Sequence, residues 1–165
     1  MEVRSLEVIA KALESAGVEY LVVGGFAANA HGYVRFTGDL DLVLSLEAEN
    51  VTAGLKALAA EGYQPHQPVS VEDFVKAEMR EKWRREKQML VLKMSSETHR
   101  RTPLDIFVYE PFDFKVEYTR AVRVEISPGF FMPTLALGAL IKMKSESGRS
   151  KDLQDVEALK KLHGL

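Results

Sequence analysis

The stretch of sequence that decides the fold runs from Tyr20 to Leu44 and reads YLVVGGFAANAHGYVRFTGDLDLVL. A short apolar run at residues 18–23 ends in the pair Gly24-Gly25, and a second apolar run covers residues 40–44. Short apolar runs that are bounded by glycine are typical of buried strands. The stretch therefore predicts two strands, with a tight turn at the glycine pair.

Outside the two strands, apolar residues recur mostly at helical spacing. We expect helices over residues 3–13, 26–31, 50–61, 71–87, 134–145 and 150–162, with Ser70, Thr134 and Ser150 as N-terminal caps. Further strands are expected at 89–94, 103–109 and 121–126, and a loop at 64–70. This order predicts a mixed α/β (α+β) fold, in which a small mixed β-sheet is flanked by helices and the C-terminal end is helical. Residues 1–165 are expected to form a single domain.

Composition narrows the classes of protein. The 165 residues are 46% hydrophobic and 28% charged, as in ordinary soluble domains. Because cysteine is absent, disulfides, cysteine-based zinc sites and a cysteine nucleophile are excluded. The charged N-terminus lacks the core of a signal peptide, and the longest apolar stretch, residues 130–141, is too short to cross a bilayer. We expect a cytoplasmic protein that makes no membrane contact.

Three aspartates are the candidate catalytic residues. Asp39 and Asp41 alternate with leucine in the second strand, so their side chains point to the same side, with Cα atoms roughly 6.5–7 Å apart. Two carboxylates this close repel each other unless a cation lies between them, and Mg²⁺ prefers such oxygen ligands. If the strand that contains Asp105 lies beside this one, three carboxylates converge, enough for two metal ions. The alternative is a turn or a solvated strand end, although two aspartates on a buried strand would be costly without a function.

The glycine pair also has two interpretations. Gly24 and Gly25 can simply form a tight turn after the first strand. Alternatively, the absence of a Cβ atom lets a phosphate approach bare backbone N–H groups at the start of the next helix.

Together these features resemble a known signature. The glycine pair is followed by an Ala-rich helix, His31-Gly32, Arg35-x-Thr37, the acid pair, and a third acid in Leu104-Asp105-Ile106. This order resembles the DNA polymerase beta-type nucleotidyltransferase superfamily. It is most similar to the minimal prokaryotic branch that includes the abortive-infection nucleotidyltransferase toxins. The C-terminal segment is similar to that branch as well, through Lys142 and the run from Arg149 to Asp155.

The resemblance implies transfer of a nucleoside monophosphate from an NTP to an acceptor, which is RNA such as tRNA, a protein or a small molecule. It implies two Mg²⁺ ions on Asp39, Asp41 and Asp105, with Asp105 also helping to deprotonate the acceptor. The residues implied to bind the nucleotide are Gly24, Gly25, Arg35, Thr37 and Lys142. A toxin–antitoxin or phage-defence role, with a cognate antitoxin as partner, is a further expectation.

Several of these residues have structural alternatives. Arg35 precedes a buried strand, a position that often forms an ion pair, here with an aspartate of the C-terminal segment. Arg149, Lys151 and Asp152 are candidates for contacting the acceptor or for a structural role, and the structural alternative is a helix cap and salt bridges formed by Arg149, Asp152 and Asp155. His31 is expected to be a hydrogen-bonded structural residue. Many superfamily members have serine where this chain has Gly25, which leaves only backbone donors there.

The segment 76–101 is basic, with nine Lys and Arg residues against four Glu, whereas the whole chain has a net charge of -2. Arg84, Arg85 and the neighbouring Trp83 are therefore candidates for contacting a nucleic-acid acceptor, with Trp83 available for stacking. The alternative is a solvated helix face, which Glu–Lys pairs at helical spacing favour. At the level of the whole protein, the alternative to an enzyme is a catalytically silent nucleotide- or protein-binding module of the same fold.

Overall fold

A computed structural model describes residues 1–165. The helices are α1 (Val3–Ser15), α2 (Gly24–Ala30), α3 (Ala48–Ala60), α4 (Val71–Val75), α5 (Ala77–Lys87), α6 (Phe114–Thr119), α7 (Leu137–Ser147) and α8 (Ser150–His163). The strands are β1 (Tyr20–Val22), β2 (Leu40–Leu44), β3 (Gln64–Pro65), β4 (Val91–Ser95), β5 (Leu104–Phe107), β6 (Val122–Ser127) and β7 (Phe130–Thr134).

All seven strands form one mixed sheet in the order β3-β4-β5-β2-β1-β7-β6. The β2–β5 and β1–β7 pairs are parallel, and the other pairs are antiparallel. The predicted mixed α/β fold with a helical C-terminal end is confirmed. No helix of this fold is both long enough and apolar enough to span a membrane.

The central strands are buried on both faces, which explains why their sequences are apolar apart from Asp41 and Asp105. Leu40, Leu42 and Leu44 of β2 belong to a core cluster with α1, α3, α4 and α5. Val43 faces the opposite way and packs in a second cluster with α2, α6, α7 and α8. Because side chains alternate along a strand, Asp41 shares the face of Val43, so it lies on the side of the C-terminal helices.

Helix boundaries differ from the sequence predictions in three places. The helix expected over 71–87 is broken at Lys76, whose extended backbone separates α4 from α5, although Ser70 does cap α4 by accepting a hydrogen bond from the Asp73 N–H. Thr134 is the last residue of β7, and α7 starts at Leu137 without a side-chain cap. Ser150 is the first residue of α8 and not its cap. The Thr134 prediction was wrong because a polar residue beside an apolar run can equally close a strand, and the Ser150 prediction was wrong by one residue, since Arg149 is the N-cap of α8.

Three elements were missed. The segment 64–70, expected to be a loop, contributes β3, which pairs with β4. Helix α6 follows Asp113, whose side chain accepts a hydrogen bond from the Val116 N–H. Strand β7 lies within an apolar run whose alternation is too weak to separate it from the helix that follows. Their short lengths explain the omissions, since periodicity needs more residues to be recognised.

Candidate active site

A row of polar side chains crosses the sheet at its centre. In the parallel β2–β5 pair, Asp41 lies opposite Asp105, and in the antiparallel β4–β5 pair, Lys93 lies opposite Asp105. The expectation that the strand of Asp105 is the neighbour of the strand of Asp41 is thus confirmed. Alternation along each strand places all three side chains on the face of α7 and α8.

Asp39 joins the row from just outside the sheet. It was expected on the strand, but β2 begins at Leu40, so Asp39 is the last residue of the preceding loop. Asp39, Asp41 and Asp105 nevertheless line the same cavity, which has a volume of about 320 Å³. No group of three or more His, Asp or Glu side chains is close enough to form a ready-made metal site. The three carboxylates therefore share a cavity without being assembled into a cage.

The acids repel one another electrostatically. Burial, followed by the carboxylates of Asp105 and Asp39, raises the pKa of Asp41 to about 6. Burial also raises the pKa of Asp105 above its usual range, while the ammonium of Lys93 acts in the opposite direction. A donor set made only of carboxylate oxygens, whose ionised forms are destabilised by each other, fits a divalent cation such as Mg²⁺.

At both glycine positions a Cβ atom would collide with a side chain that lines the cavity. Gly24 has a φ of +66°, and a Cβ atom there would lie 1.9 Å from Oδ2 of Asp41. A Cβ atom on Gly25 would lie 2.4 Å from Oγ1 of Thr37. One interpretation predicted a separate tight turn at this pair. The structure instead has α2 begin at Gly24, and the N–H groups of the first turn of this helix have no partner within the helix. The glycines thus bring Asp41 and Thr37 against the start of this helix.

A second wall of the cavity is basic and rests on a buried network. Nζ of Lys144 lies 3.1 Å from Oδ1 of Asp152 and 2.7 Å from Oδ2 of Asp155. The guanidinium of Arg35 donates two hydrogen bonds to Asp155, and Nε of Arg149 donates one to Asp152 at 2.6 Å. Three cations therefore share two carboxylates, so this wall carries an excess of positive charge.

The network also fixes the protonation state of its two carboxylates. Burial by itself would raise the pKa of Asp152 and Asp155. Hydrogen bonds from Ser147, Arg149 and Lys144 to Asp152, and from Arg35 and Lys144 to Asp155, outweigh the burial, so both pKa values lie below their usual range. Both aspartates therefore stay ionised to a lower pH than Asp41 on the opposite wall, whose pKa is raised to about 6.

Four of the five residues predicted to bind the nucleotide lie at the cavity, and one does not. Gly24, Gly25, Arg35 and Thr37 all line the cavity, and Arg35 also makes the ion pair with the C-terminal segment that was its structural alternative. Lys142 does not line it: its side chain is 77% exposed and lies 4.0 Å from Glu146.

The cavity lysine is Lys144, which is buried. Residues two apart on a helix face nearly opposite ways, whereas Leu140 and Lys144, four apart, share the buried face. That spacing was the signal in the sequence that could have identified Lys144.

The other C-terminal candidates are placed at the cavity as well. Arg149, Lys151 and Asp152 line it, next to the turn between α7 and α8. Arg149 and Asp152 also form the salt bridge that was their structural alternative. Nε2 of His31 lies 2.8 Å from the backbone oxygen of Leu135, in keeping with the structural role expected for this histidine.

The basic segment does not form one surface. Trp83 is only 6% exposed and packs against Phe74, so it is not available for stacking, and the expectation that it would be was wrong. Its burial follows from the helical spacing of apolar residues in α5, which placed it on the core face. Arg80 is also buried and donates hydrogen bonds to the backbone oxygens of Phe74 and Val75. Part of the segment's charge is therefore structural.

Asp39, Asp41 and Asp105 form the acid wall of the cavity, and a groove of about 740 Å³ continues from this wall toward the end of α5. Asp41, Asp105 and Lys93 line both the cavity and this groove. Lys87 and Tyr109 line the groove farther from the acids.

Arg84 and Arg85, the two arginine candidates on α5, differ in their contact with the residues that line this groove. The guanidinium carbon of Arg84 lies 4.0 Å from the ring centroid of Tyr109, which lines the groove, but Arg84 itself does not line it. Arg85 is exposed and lines neither the cavity nor the groove.

Sequence reasoning missed two charged residues of the site. Lys93 was counted only as part of the basic segment, although its place opposite Asp105 puts it within the acid row. Lys144 was passed over for Lys142. No protein-family model matches this chain, and no curated protein matches it either.

Proposed function

We propose that this protein is a Mg²⁺-dependent nucleotidyltransferase that moves a nucleoside monophosphate from an NTP to an acceptor. The observation that carries the proposal is the division of one cavity into an acid wall and a basic wall. An NTP bound with Mg²⁺ needs both, because the metal takes carboxylates and phosphates while the outer phosphates take cations. The sequence resemblance to the DNA polymerase beta-type superfamily supports the same reaction.

Each wall has its own task in this proposal. Asp39, Asp41 and Asp105 would hold Mg²⁺, which when bound neutralises phosphate charge and orients the reacting groups. Arg149 and Lys151 are the exposed cations of the basic wall and would contact the triphosphate. Lys144, already engaged by two aspartates, supports that wall from beneath. Catalysis would come mainly from positioning and charge neutralisation.

The acceptor would enter through the groove. Asp105 lies where the cavity and the groove meet, so a hydroxyl arriving along the groove would come within reach of this carboxylate. Asp105 would then take the proton of the acceptor as its oxygen attacks the α-phosphate of the NTP. Pyrophosphate would leave on the side of the basic wall.

The test is transfer of label from α-labelled NTPs in the presence of Mg²⁺, with total RNA, cell protein and small-molecule extracts offered as separate acceptors. We expect one acceptor class to be labelled, and Asp41→Asn or Asp105→Asn to reduce labelling at least a hundredfold. Glu49→Gln is the control, since Glu49 is exposed on α3, whose buried side packs against the other face of the sheet.

Three outcomes are distinguishable. Labelling that survives Asp41→Asn would contradict the metal-holding role of the acid wall. NTP binding by calorimetry without any transfer would favour the silent binding module. Absence of both binding and transfer would exclude the nucleotide altogether.

A further inference from the structure

Lys93 is the only cation that forms a salt bridge with Asp39, Asp41 or Asp105. Its Nζ lies 3.4 Å from Oδ1 and 3.3 Å from Oδ2 of Asp105, so the ammonium sits between the two carboxylate oxygens. The strand register fixes this arrangement, because Lys93 lies directly opposite Asp105 across the β4–β5 pair. No salt bridge is made by Asp39 or Asp41.

The Lys93–Asp105 pair is loose. Both distances are longer than those of a strong charge-assisted hydrogen bond, which are about 2.7–2.9 Å. The Lys93 side chain is 51% exposed, whereas that of Asp105 is 13% exposed. A half-exposed ion pair of this kind contributes little free energy and is readily exchanged. The lysine can therefore leave Asp105 while the carboxylate stays in place.

The Lys93 side chain can also move into the groove when it leaves Asp105. Its side chain lines the groove as well as the cavity, and Lys87 and Gln88 line the same groove farther out. An ammonium released from Asp105 would point along the groove toward an incoming acceptor. It would add positive charge to the path without leaving the site.

We infer that Lys93 is a placeholder cation, which occupies Asp105 until a divalent ion displaces it and then faces the acceptor groove. This inference rests on the proposed metal-dependent function. While Lys93 is seated, the acid wall carries one negative charge less, so it attracts a free divalent ion more weakly. Phosphate oxygens of an NTP add metal ligands that shift the competition toward the metal. Metal loading at Asp105 is thereby coupled to nucleotide binding.

The test measures Mn²⁺ affinity of the full-length protein without nucleotide, by titration followed by electron paramagnetic resonance. Replacing the lysine by a neutral side chain of similar length, Lys93→Met, removes the competitor, so we expect Mn²⁺ to bind about five times more tightly. Lys93→Arg keeps the charge and should restore the weak wild-type affinity. Lys56→Met, on the exposed side of α3, is the matched control and should change nothing.

The outcomes separate the inference from the proposed function. Tighter Mn²⁺ binding by Lys93→Met, including binding where the wild type shows none, supports the placeholder. Wild-type affinity in Lys93→Met, with binding lost in Asp41→Asn, overturns the placeholder and leaves the metal site standing. Absence of binding in both wild type and Lys93→Met overturns the placeholder, and absence of binding after an NTP is added as well overturns the metal-dependent function. Circular dichroism of each variant checks that the fold is retained.

Discussion

At the scale of single residues, the site is defined by close approaches that only certain side chains permit. The hydroxyl of Thr37 lies where a side chain at position 25 would begin, so a serine at Gly25 would collide with it. A glycine at position 25 is therefore matched to Thr37, which lines the same cavity. The sequence could identify both residues, but the contact between them depends on the loop that joins α2 to β2.

Asp41 is a source of instability when no metal is bound. Its pKa of about 6 in the folded protein lies above the ordinary value of 3.8, so the folded state keeps a proton that the unfolded state has lost between these values. The free energy of unfolding attributable to Asp41 therefore falls as pH rises from about 4 to 6. The aspartates of the buried network act in the opposite sense, since their lowered pKa values remove stability only below about pH 4.

We accordingly expect Asp41→Asn to be more stable than the wild type at pH 7 in the presence of a chelator, by at most about 3 kcal/mol. The advantage should shrink toward pH 4, where the wild-type carboxyl is protonated. Urea unfolding at several pH values measures both. A variant less stable than the wild type at pH 7 would show that Asp41 is stabilised by contacts and is not destabilised by its neighbours.

At the scale of elements, the second strand and its acids were predictable because an apolar run that contains one aspartate and directly follows another leaves few interpretations. Helix breaks were less predictable. The sequence from residue 71 to 87 has continuous helical spacing, yet the backbone of Lys76 is extended, since Phe74 and Trp83 both have to reach one core. Such tertiary demands override local propensity and cannot be derived from the sequence of the segment alone.

Lys144 on α7 forms salt bridges with two aspartates of α8, and we expect this lysine to dominate the stability of the α7–α8 hairpin. Lys144→Met leaves Asp152 and Asp155 buried without their shared cation, so it should destabilise the protein by about 3–5 kcal/mol. Lys142→Met removes only an exposed contact with Glu146 and should change stability by less than about 0.5 kcal/mol. Thermal unfolding of the two variants compares them directly, and equal effects would mean that the buried network is not what holds the hairpin.

At the scale of the whole molecule, the net charge does not show on which surfaces the charged side chains lie. The basic segment 76–101 contributes one buried arginine to the core and two lysines to the groove, one of which, Lys93, also contacts Asp105. Arg101 lies elsewhere, 3.6 Å from Glu2 at the start of α1. A count along the sequence could detect the excess of positive charge but not that it is divided among different surfaces, because strand and helix order decides where each side chain lies.

This division predicts unequal effects from equal changes in charge. Lys87→Glu and Arg101→Glu both lower the net charge by two, but only Lys87 lines the groove. If the acceptor is a nucleic acid that enters there, Lys87→Glu should raise the KM for the acceptor about tenfold and make the KM less sensitive to salt. Arg101→Glu should leave both unchanged. The measurement is initial transfer rate against acceptor concentration at two ionic strengths. Equal losses from both variants would indicate attraction by the overall charge, whereas no loss from either would place the acceptor outside the groove.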